Sequence, residues 1–388
     1  FIDLGKGNNR MGGSILAQIN NEIGGISPDV ECIEEMPNFV SAFYGLLKEN
    51  KILAYHDRSD GGLITTLAEM SFSSRLGLNI NLDSLIQEEE KVIEQIFNEE
   101  LGAVIQVSND DLNEVLTTLE SSGLAGHLHN IGSISSEEKI NLLLDDQQLL
   151  SLSIEDLLKN WFQVSFEIQS LRDNPETAKA EYDHDTNLQN LGLKSVLPFL
   201  IPERINIKSS RPRIAILREQ GVNGQNEMAA AFNEVGFDCI DVHMTDLLSN
   251  KQKLDDFEGL VACGGFSYGD VLGAGGGWAN SILFNKHLRN QFGDFFHNEN
   301  VFSLGVCNGC QTLSLLSSLI PGSDGWPTFK KNYSEKFESR LIQVKVKDSP
   351  SIFFRDMEGA IIPVPVAHGE GKIEISEGSL DDFSRLRS

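Results

Sequence analysis

The run Val301-Phe302-Ser303-Leu304-Gly305-Val306-Cys307-Asn308-Gly309-Cys310-Gln311 decides how the second half of this chain folds. Its first four residues make a short apolar stretch of strand type, and from Cys310 to Leu319 leucines recur at helical spacing. A cysteine flanked by glycines therefore stands at a strand-to-helix turn, the layout of a nucleophile elbow with Cys in place of Ser. The glycines answer to crowding, because a turn sharp enough to push one side chain outward brings backbone segments together and favours residues without a Cβ. Unpaired N–H groups at the helix start favour a thiolate and offer donors for an oxyanion. Two plainer readings stay open from this stretch alone: a buried strand-end cysteine without chemistry, and a Cys307-x-x-Cys310 redox or half-zinc pair. Cys32, Cys239 and Cys263 are scattered singly and make no second zinc pair.

Working outward, Arg213 to Leu217 reads as a strand, Arg218 to Gly224 as a loop, and Asn226 to Val235 as a helix. Met228, Ala231, Phe232 and Val235 share one face of that helix, and Gly236 ends it. Cys239 to Val242 and Leu260 to Cys263 are two more strands, the second running into Gly264-Gly265-Phe266-Ser267-Tyr268-Gly269-Asp270. Strands alternating with helices predict a doubly wound parallel sheet. Glycine loops at two of its strand ends then face each other across one crevice.

The first half has a different texture. Phe1 to Leu4 reads as strand, and Gly5 to Ser14 as a glycine-rich loop before a helix from Ile15. Such a loop holds phosphate through backbone N–H groups and Lys6 or Arg10, or is a plain tight turn, since it matches neither the P-loop nor the dinucleotide fingerprint. Pro37 to Glu49 has the apolar spacing of an amphipathic helix. The strand Ile52 to Tyr55 is followed by His56-Asp57-Arg58-Ser59-Asp60-Gly61-Gly62 and a helix from Leu63 to Phe72. Carboxylates such as Asp57 and Asp60 suit Mg²⁺ shared with substrate phosphates. The alternative is that Asp57 or Ser59 caps the helix. Further on, Leu78–Leu82, Gly102–Val107 and Ile140–Leu144 read as strands, and Glu88–Phe97 and Leu112–Leu119 as helices. These make one α+β domain over residues 1–150. A helix from Glu155 to Arg172, ended by Asp173-Asn174-Pro175, and a polar stretch broken by Pro198, Pro202 and Pro212 make a connector over 151–210. The α/β domain occupies 211–388.

At 388 residues the chain is long enough for two or three cores. Its 40% hydrophobic and 23% charged content is that of soluble globular proteins. A net charge of -26 argues against nucleic acid or an anionic membrane as partner, though not against small phosphorylated ligands. Five cysteines without disulfide-rich spacing suit a reducing compartment. The sequence opens without a basic segment leading into an apolar one, and no run approaches the roughly 18 apolar residues of a membrane span. The expected location is the cytoplasm.

Four motifs in order carry a specific likeness. Arg218-Glu219-Gln220-Gly221-Val222-Asn223, the Gly264–Asp270 run, Gly305 to Gln311 and His368-Gly369-Glu370-Gly371 together resemble phosphoribosylformylglycinamidine synthase, large single-chain form, at its glutaminase end. Asp3-Leu4-Gly5-Lys6-Gly7-Asn8 and His56 to Gly62 resemble the last part of that enzyme's ATP-dependent synthetase region. The resemblance implies the C-terminal α+β domain of the synthetase core followed by a flavodoxin-like glutamine amidotransferase domain. It also implies a ligase of de novo purine biosynthesis, which converts formylglycinamide ribonucleotide to formylglycinamidine ribonucleotide using glutamine, ATP and Mg²⁺. Carried onto this sequence, Cys307 is the glutaminase nucleophile, and backbone N–H groups near Gly265 and Asn308 are oxyanion candidates. Asp57 matches a Mg²⁺ ligand and Ser59 an ATP contact.

Two departures qualify the likeness. The family completes its Cys-His-Glu triad with a His-Pro-Glu motif near its C-terminus, and none occurs here. His368 and Glu370, although spaced as His-x-Glu, then read as structural or substrate-side residues near the site. The earlier synthetase segments are also absent, so the expectation is a fragment that lacks both its partner synthetase domains and its general base, and is inactive alone. Two other readings are a stand-alone cysteine hydrolase, with His368 as base and Glu370 as its orienter, and a non-catalytic nucleotide-binding module.

Overall fold

The structure is a computed structural model that describes residues 1–23, 25–86, 91–190, 192–201 and 210–375. Pro202, the first turn of the expected helix from Glu88, and the domain's end beyond residue 375 lie outside the described residues. Two compact units emerge, one of Phe1–Ile168 with Lys179–Asn190 and one of Gln169–Ala178 with the described chain from 192 onward.

In the first unit, β1 (Ile2–Asp3), β2 (Ala54–Asp57) and β4 (Gly102–Gln106) form an antiparallel sheet with β4 central; β3 (Gly77–Asn81) belongs to a second sheet. That second sheet runs β5 (Gly132–Ser135), β3, β6 (Lys139–Leu144), β7 (Gln147–Ser153), with β3 and β6 parallel and the outer pairs antiparallel. Alternation along β6 buries Ile140, Leu142 and Leu144 against Leu63, Leu67 and Phe72 of the helix Gly62–Ser74. A second core joins Ile2 and Ala103 to Phe39 and Leu46 of the helix Glu35–Lys48 and to Val115 and Leu119. This is the expected α+β arrangement, with three local differences.

The strand expected at Ile52–Tyr55 lies at Ala54–Asp57, so His56 and Asp57 sit in the ladder. Pairing with β4 carries it that far, from Ala54 opposite Gln106 to Asp57 opposite Ala103. Residues 147–153, expected to hold the domain's end, form β7, whose register shifts between Leu142 and Leu143 of its partner. Pro175 does end the helix Ile154–Arg172, but it also opens another, Pro175–Asp185, in what the sequence suggests is a polar connector. Proline at a first helical position forfeits no bond, and the Asn174 side chain accepts from the Glu176 and Thr177 N–H groups.

The second unit is built on β8 (Arg213–Arg218), β9 (Asp238–His243), β10 (Gly259–Ala262) and β11 (Phe302–Gly305). All pairs are parallel and the order is β9-β8-β10-β11, the flavodoxin-like arrangement. Burial on both faces explains the near-continuous apolar runs. Ile214 and Ile216 of β8 with Val261 of β10 face Phe232 of the helix Gln225–Glu234. Ala215, Leu217, Leu260 and Ala262 face the opposite way, onto Trp278, Ile282, Phe292 and Leu313. Those four come from the helices Gly276–Leu283, Lys286–Phe296 and Asn308–Leu315. Beyond the sheet, β12 (Thr328–Lys330) pairs with β15 (Lys372–Glu374), and β13 (Glu338–Lys345) with β14 (Ile361–His368), both antiparallel.

Candidate active site

The elbow forms where β11 ends. Cys307 is the N-cap of the helix Asn308–Leu315, with φ 54° and ψ -118°, a backbone state that a residue with a Cβ occupies at a cost of about 1–3 kcal/mol. Bonds on either side hold it there: Val306 N–H donates to Ala262 O at 3.0 Å, Gly309 N–H to Val306 O at 3.0 Å, and Gln311 N–H to Cys307 O at 3.1 Å. The helix's first turn lies directly on the end of β10. A Cβ at Gly309 would stand 2.0 Å from Ala262 O, which excludes every other residue type. The result is an exposed thiol on a tightly packed turn.

The loop after β10 makes the second wall. A Cβ at Gly264 would lie 3.0 Å from the Cys307 Cβ and 3.6 Å from its sulfur, so this loop borders the thiol itself. Its path is set by the loop after β8, since Asn223 N–H donates to Gly264 O at 2.9 Å and Phe266 N–H to Gly221 O at 2.9 Å. Gly265, at φ 132°, passes so near that a Cβ would be 2.6 Å from Gly221 O. This pairing leaves the N–H of Gly265 without an acceptor among the described residues, and the N–H of Asn308 is likewise unclaimed at the helix start. The Asn308 side chain, by contrast, is fully engaged. Its Oδ1 accepts from Ser267 N–H at 3.2 Å, while Nδ2 donates to Asp270 Oδ1 at 3.0 Å and Gln311 Oε1 at 3.3 Å. Burial pushes the Asp270 carboxyl above the ordinary range, with the Asn308 bond opposing.

The His-Gly-Glu-Gly segment reaches this network through Glu370. The Glu370 carboxylate accepts from Ala274 N–H at 2.8 Å and its carbonyl accepts from Gln311 Nε2 at 2.7 Å. His368 faces elsewhere. Its Nδ1 and Asn332 Oδ1 are 3.1 Å apart, and Asn332 Nδ2 donates to His368 O at 2.8 Å. Among the described residues no hydrogen bond joins His368 to Glu370 or to Cys307. Gln311 and Asp270 were visible inside quoted motifs without a role, whereas Asn332, in an unremarkable polar run, carried no signal.

In the first unit the expected nucleotide segment opens differently. The helix Gly62–Ser74 starts from Gly61, whose N–H donates to the Glu99 carboxylate at 2.8 Å, so neither Asp57 nor Ser59 caps it. Asp57's side chain is 65% exposed, with the His56 ring 3.8 Å away. No group of three or more His, Cys, Asp or Glu side chains gathers for a metal among the described residues. One outward carboxylate nevertheless fits Mg²⁺, which takes one or two protein carboxylates and completes its shell with phosphates and water. The glycine-rich loop is a structural turn. Its Gly5 and Gly7 N–H groups donate to the Asp3 carboxylate, at 3.2 and 2.8 Å, while Lys6 pairs with Glu35 and Arg10 with Glu100. Arg58 is buried against Asp3 at 2.8 Å, and burial lowers the pKa of its guanidinium. A cavity of about 690 Å³, bordered by His56, Leu67, Glu69, Met70 and Val104, does not include Asp57 or Ser59.

Residues 211–387 match the family model of the CobB/CobQ-like glutamine amidotransferase domain, and residues 6–145 that of the C-terminal domain of AIR synthase related proteins. The chain is thus a synthetase-type domain followed by a glutamine amidotransferase domain. That pairing and order agree with the two-part chain that the quoted motifs resemble. Among solved structures, PurLQS from Thermotoga maritima is similar at 23% identity, over 44% of this chain and 72% of that one, with a TM-score of 0.35. T. maritima PurL complexed with FGAR follows at 17% identity, over 31% and 20%, with a TM-score of 0.28. T. maritima PurL complexed with ATP gives 14%, over 45% and 25%, with a TM-score of 0.28. The chain spans from 20% to 28% of the length of the T. maritima PurL chains. No helix among the described residues is long and apolar enough to cross a membrane.

Proposed function

We propose that this chain carries the glutaminase site, and part of the synthetase, of a cytoplasmic purine-biosynthetic ligase that makes formylglycinamidine ribonucleotide. The reading rests above all on Cys307, held in a strained turn at a helix start beside two N–H groups that have no acceptor among the described residues. The Cys307 thiolate attacks the side-chain carbonyl carbon of glutamine, and the carbonyl oxygen becomes an oxyanion held by the Gly265 and Asn308 N–H groups. Collapse of that adduct breaks the C–N bond and, with a proton gained, releases ammonia. Water then cleaves the thioester to glutamate and frees the thiol.

The general base for this step is assigned outside the described residues. His368 is held by Asn332 and faces away from Cys307, while Glu370 is held by Ala274 and Gln311 at the edge of the Asn308 network, so neither is given the part of base or orienter. In the first unit, Asp57 would hold Mg²⁺ and Ser59 would contact ATP. Bound Mg²⁺ and ATP would supply the phosphoryl group that activates the amide oxygen of formylglycinamide ribonucleotide toward ammonia.

The test is labelling of the reduced 388-residue chain with a glutamine-analogue electrophile, read by peptide mass spectrometry beside an ammonia-release assay. Label on Cys307 that glutamine competes away, lost in Cys307→Ser, is the expected result. Absence of competable label overturns the glutaminase reading, and turnover abolished by His368→Ala overturns the roles given to His368 and Glu370.

A further inference from the structure

The mechanism leaves one reactive group beside the nucleophile without a task. Cys310 stands three residues after Cys307 on the same helix start, and both side chains are free thiols on exposed residues. Only the helical residues Asn308 and Gly309 separate the N-cap Cys307 from Cys310, which keeps the two within one turn of about 5.4 Å pitch, and disulfides bridge Cα separations of roughly 4.4–6.8 Å. The bond from Gln311 N–H to Cys307 O, 3.1 Å, closes the turn that includes both cysteines. The other three cysteines are placed otherwise. Cys32 lies in the first unit against Lys6, Cys263 is buried in the core, and Cys239 donates to Ala229 O at 3.3 Å.

We propose that Cys307 and Cys310 form a reversible disulfide under peroxide, and that this bond closes the glutaminase site. In the first step the Cys307 thiolate attacks a peroxide oxygen, breaking the O–O bond. Cys307 becomes a sulfenic acid and the peroxide leaves as hydroxide, which takes up a proton to give water. In the second step the Cys310 thiolate attacks the Cys307 sulfur, the S–S bond forms as the S–O bond breaks, and the sulfenic hydroxyl leaves as hydroxide, which takes up the proton lost by Cys310 to give water. The two thiols lose two electrons and the peroxide gains them. A thiol reductant reverses the change by exchange at either sulfur.

The environment of Cys310 sets the pace of the second step. Cys310 keeps solvent-exposed surface, but desolvation of its sulfur by the packed protein around it first, and the adjacent Cys307 second, push its thiol above the ordinary value. Little of it is thiolate at neutral pH, so closure accelerates as pH rises. The bond also protects, because Cys307 trapped as a disulfide does not proceed to the irreversible sulfinic acid.

This inference rests on the reading of Cys307 as nucleophile for its consequence, though not for its chemistry, and the two fail separately. The experiment treats the reduced full chain with equimolar hydrogen peroxide, quenches with an alkylating agent, and maps the peptides. A linked Cys307–Cys310 peptide is expected, with labelling by the glutamine-analogue electrophile reduced roughly tenfold or more and restored by dithiothreitol. In Cys310→Ser the linked species is lost and dithiothreitol no longer restores labelling after prolonged exposure. Sulfinic acid at Cys307 with Cys310 still alkylatable, at equal rates in wild type and Cys310→Ser, would overturn the proposal. If the reduced protein takes no competable label, the linked peptide still decides the disulfide.

Discussion

Two strand-to-helix junctions, one in each unit, use glycine in opposite ways. At the junction after β2, Gly61 and Gly62 themselves take the left-handed backbone, at φ 80° and 73°, and the polar residues before them are unstrained. At the junction after β11 the glycines supply only room, while Cys307 takes the positive φ. The difference matches the work proposed for each. A metal or phosphate contact needs an outward carboxylate or hydroxyl, which an ordinary strand end provides. A nucleophile beside oxyanion donors must project from the apex of the turn, and the apex is where the backbone is least comfortable.

That contrast is open to measurement. The largest effect expected is from Gly309→Ala, whose Cβ would fall 2.0 Å from Ala262 O. Overpacking against fixed backbone predicts a loss of about 3 kcal/mol or more in urea unfolding, and a loss below about 1 kcal/mol would mean the elbow is loosely built. Cys307→Gly is expected to act in the other direction. Relief of the strained φ, set against the greater freedom of the unfolded glycine, leaves a gain of about 1 kcal/mol in stability together with complete loss of labelling. Destabilisation by Cys307→Gly would remove strain from the comparison. The smallest stability effect belongs to Asp57→Asn, an exposed position, where unfolding should change by no more than about 0.5 kcal/mol. Binding of Mg²⁺-ATP, followed by calorimetry, should nevertheless weaken. Unchanged affinity would take Asp57 out of the proposed site.

Much of the second unit was legible in the sequence because backbone crowding and two-sided burial both leave marks on residue type. Gly305 and Gly309 flank the cysteine where a Cβ would collide, and Ile214 to Leu217 form an unbroken apolar run because alternate residues enter different cores. The first unit was harder to read. His56 and Asp57 look like loop residues, yet ladder bonds to β4 hold them in a strand, a tertiary effect that local polarity hides. The helix Pro175–Asp185 buries only Ala178 and depends on its Asn174 cap and a Lys179–Asp183 pair, so no apolar stripe announces it. Motif spacing also could not disclose that Lys6 and Arg10 are already neutralised by Glu35 and Glu100, which turns an apparent phosphate loop into a structural one. For His368 and Glu370, spacing alone suggested a pair; the resemblance already read them as structural or substrate-side residues, and the geometry holds them to different partners, Asn332 on one side and Ala274 on the other.

The interlocking of the loops after β8, β10 and β11 bears on how this site tolerates change over generations. Gly221, Gly265 and Gly309 each lie within 2.6 Å or less of a neighbouring carbonyl oxygen, measured from the Cβ they lack. The proposed oxyanion donors are likewise main-chain atoms. A mutational map of this region should therefore be written in two inks. The exposed side chain of Asn223 is free to drift, because its backbone does the holding, while Gly221, Gly265 and Gly309 admit no neighbour in the genetic code.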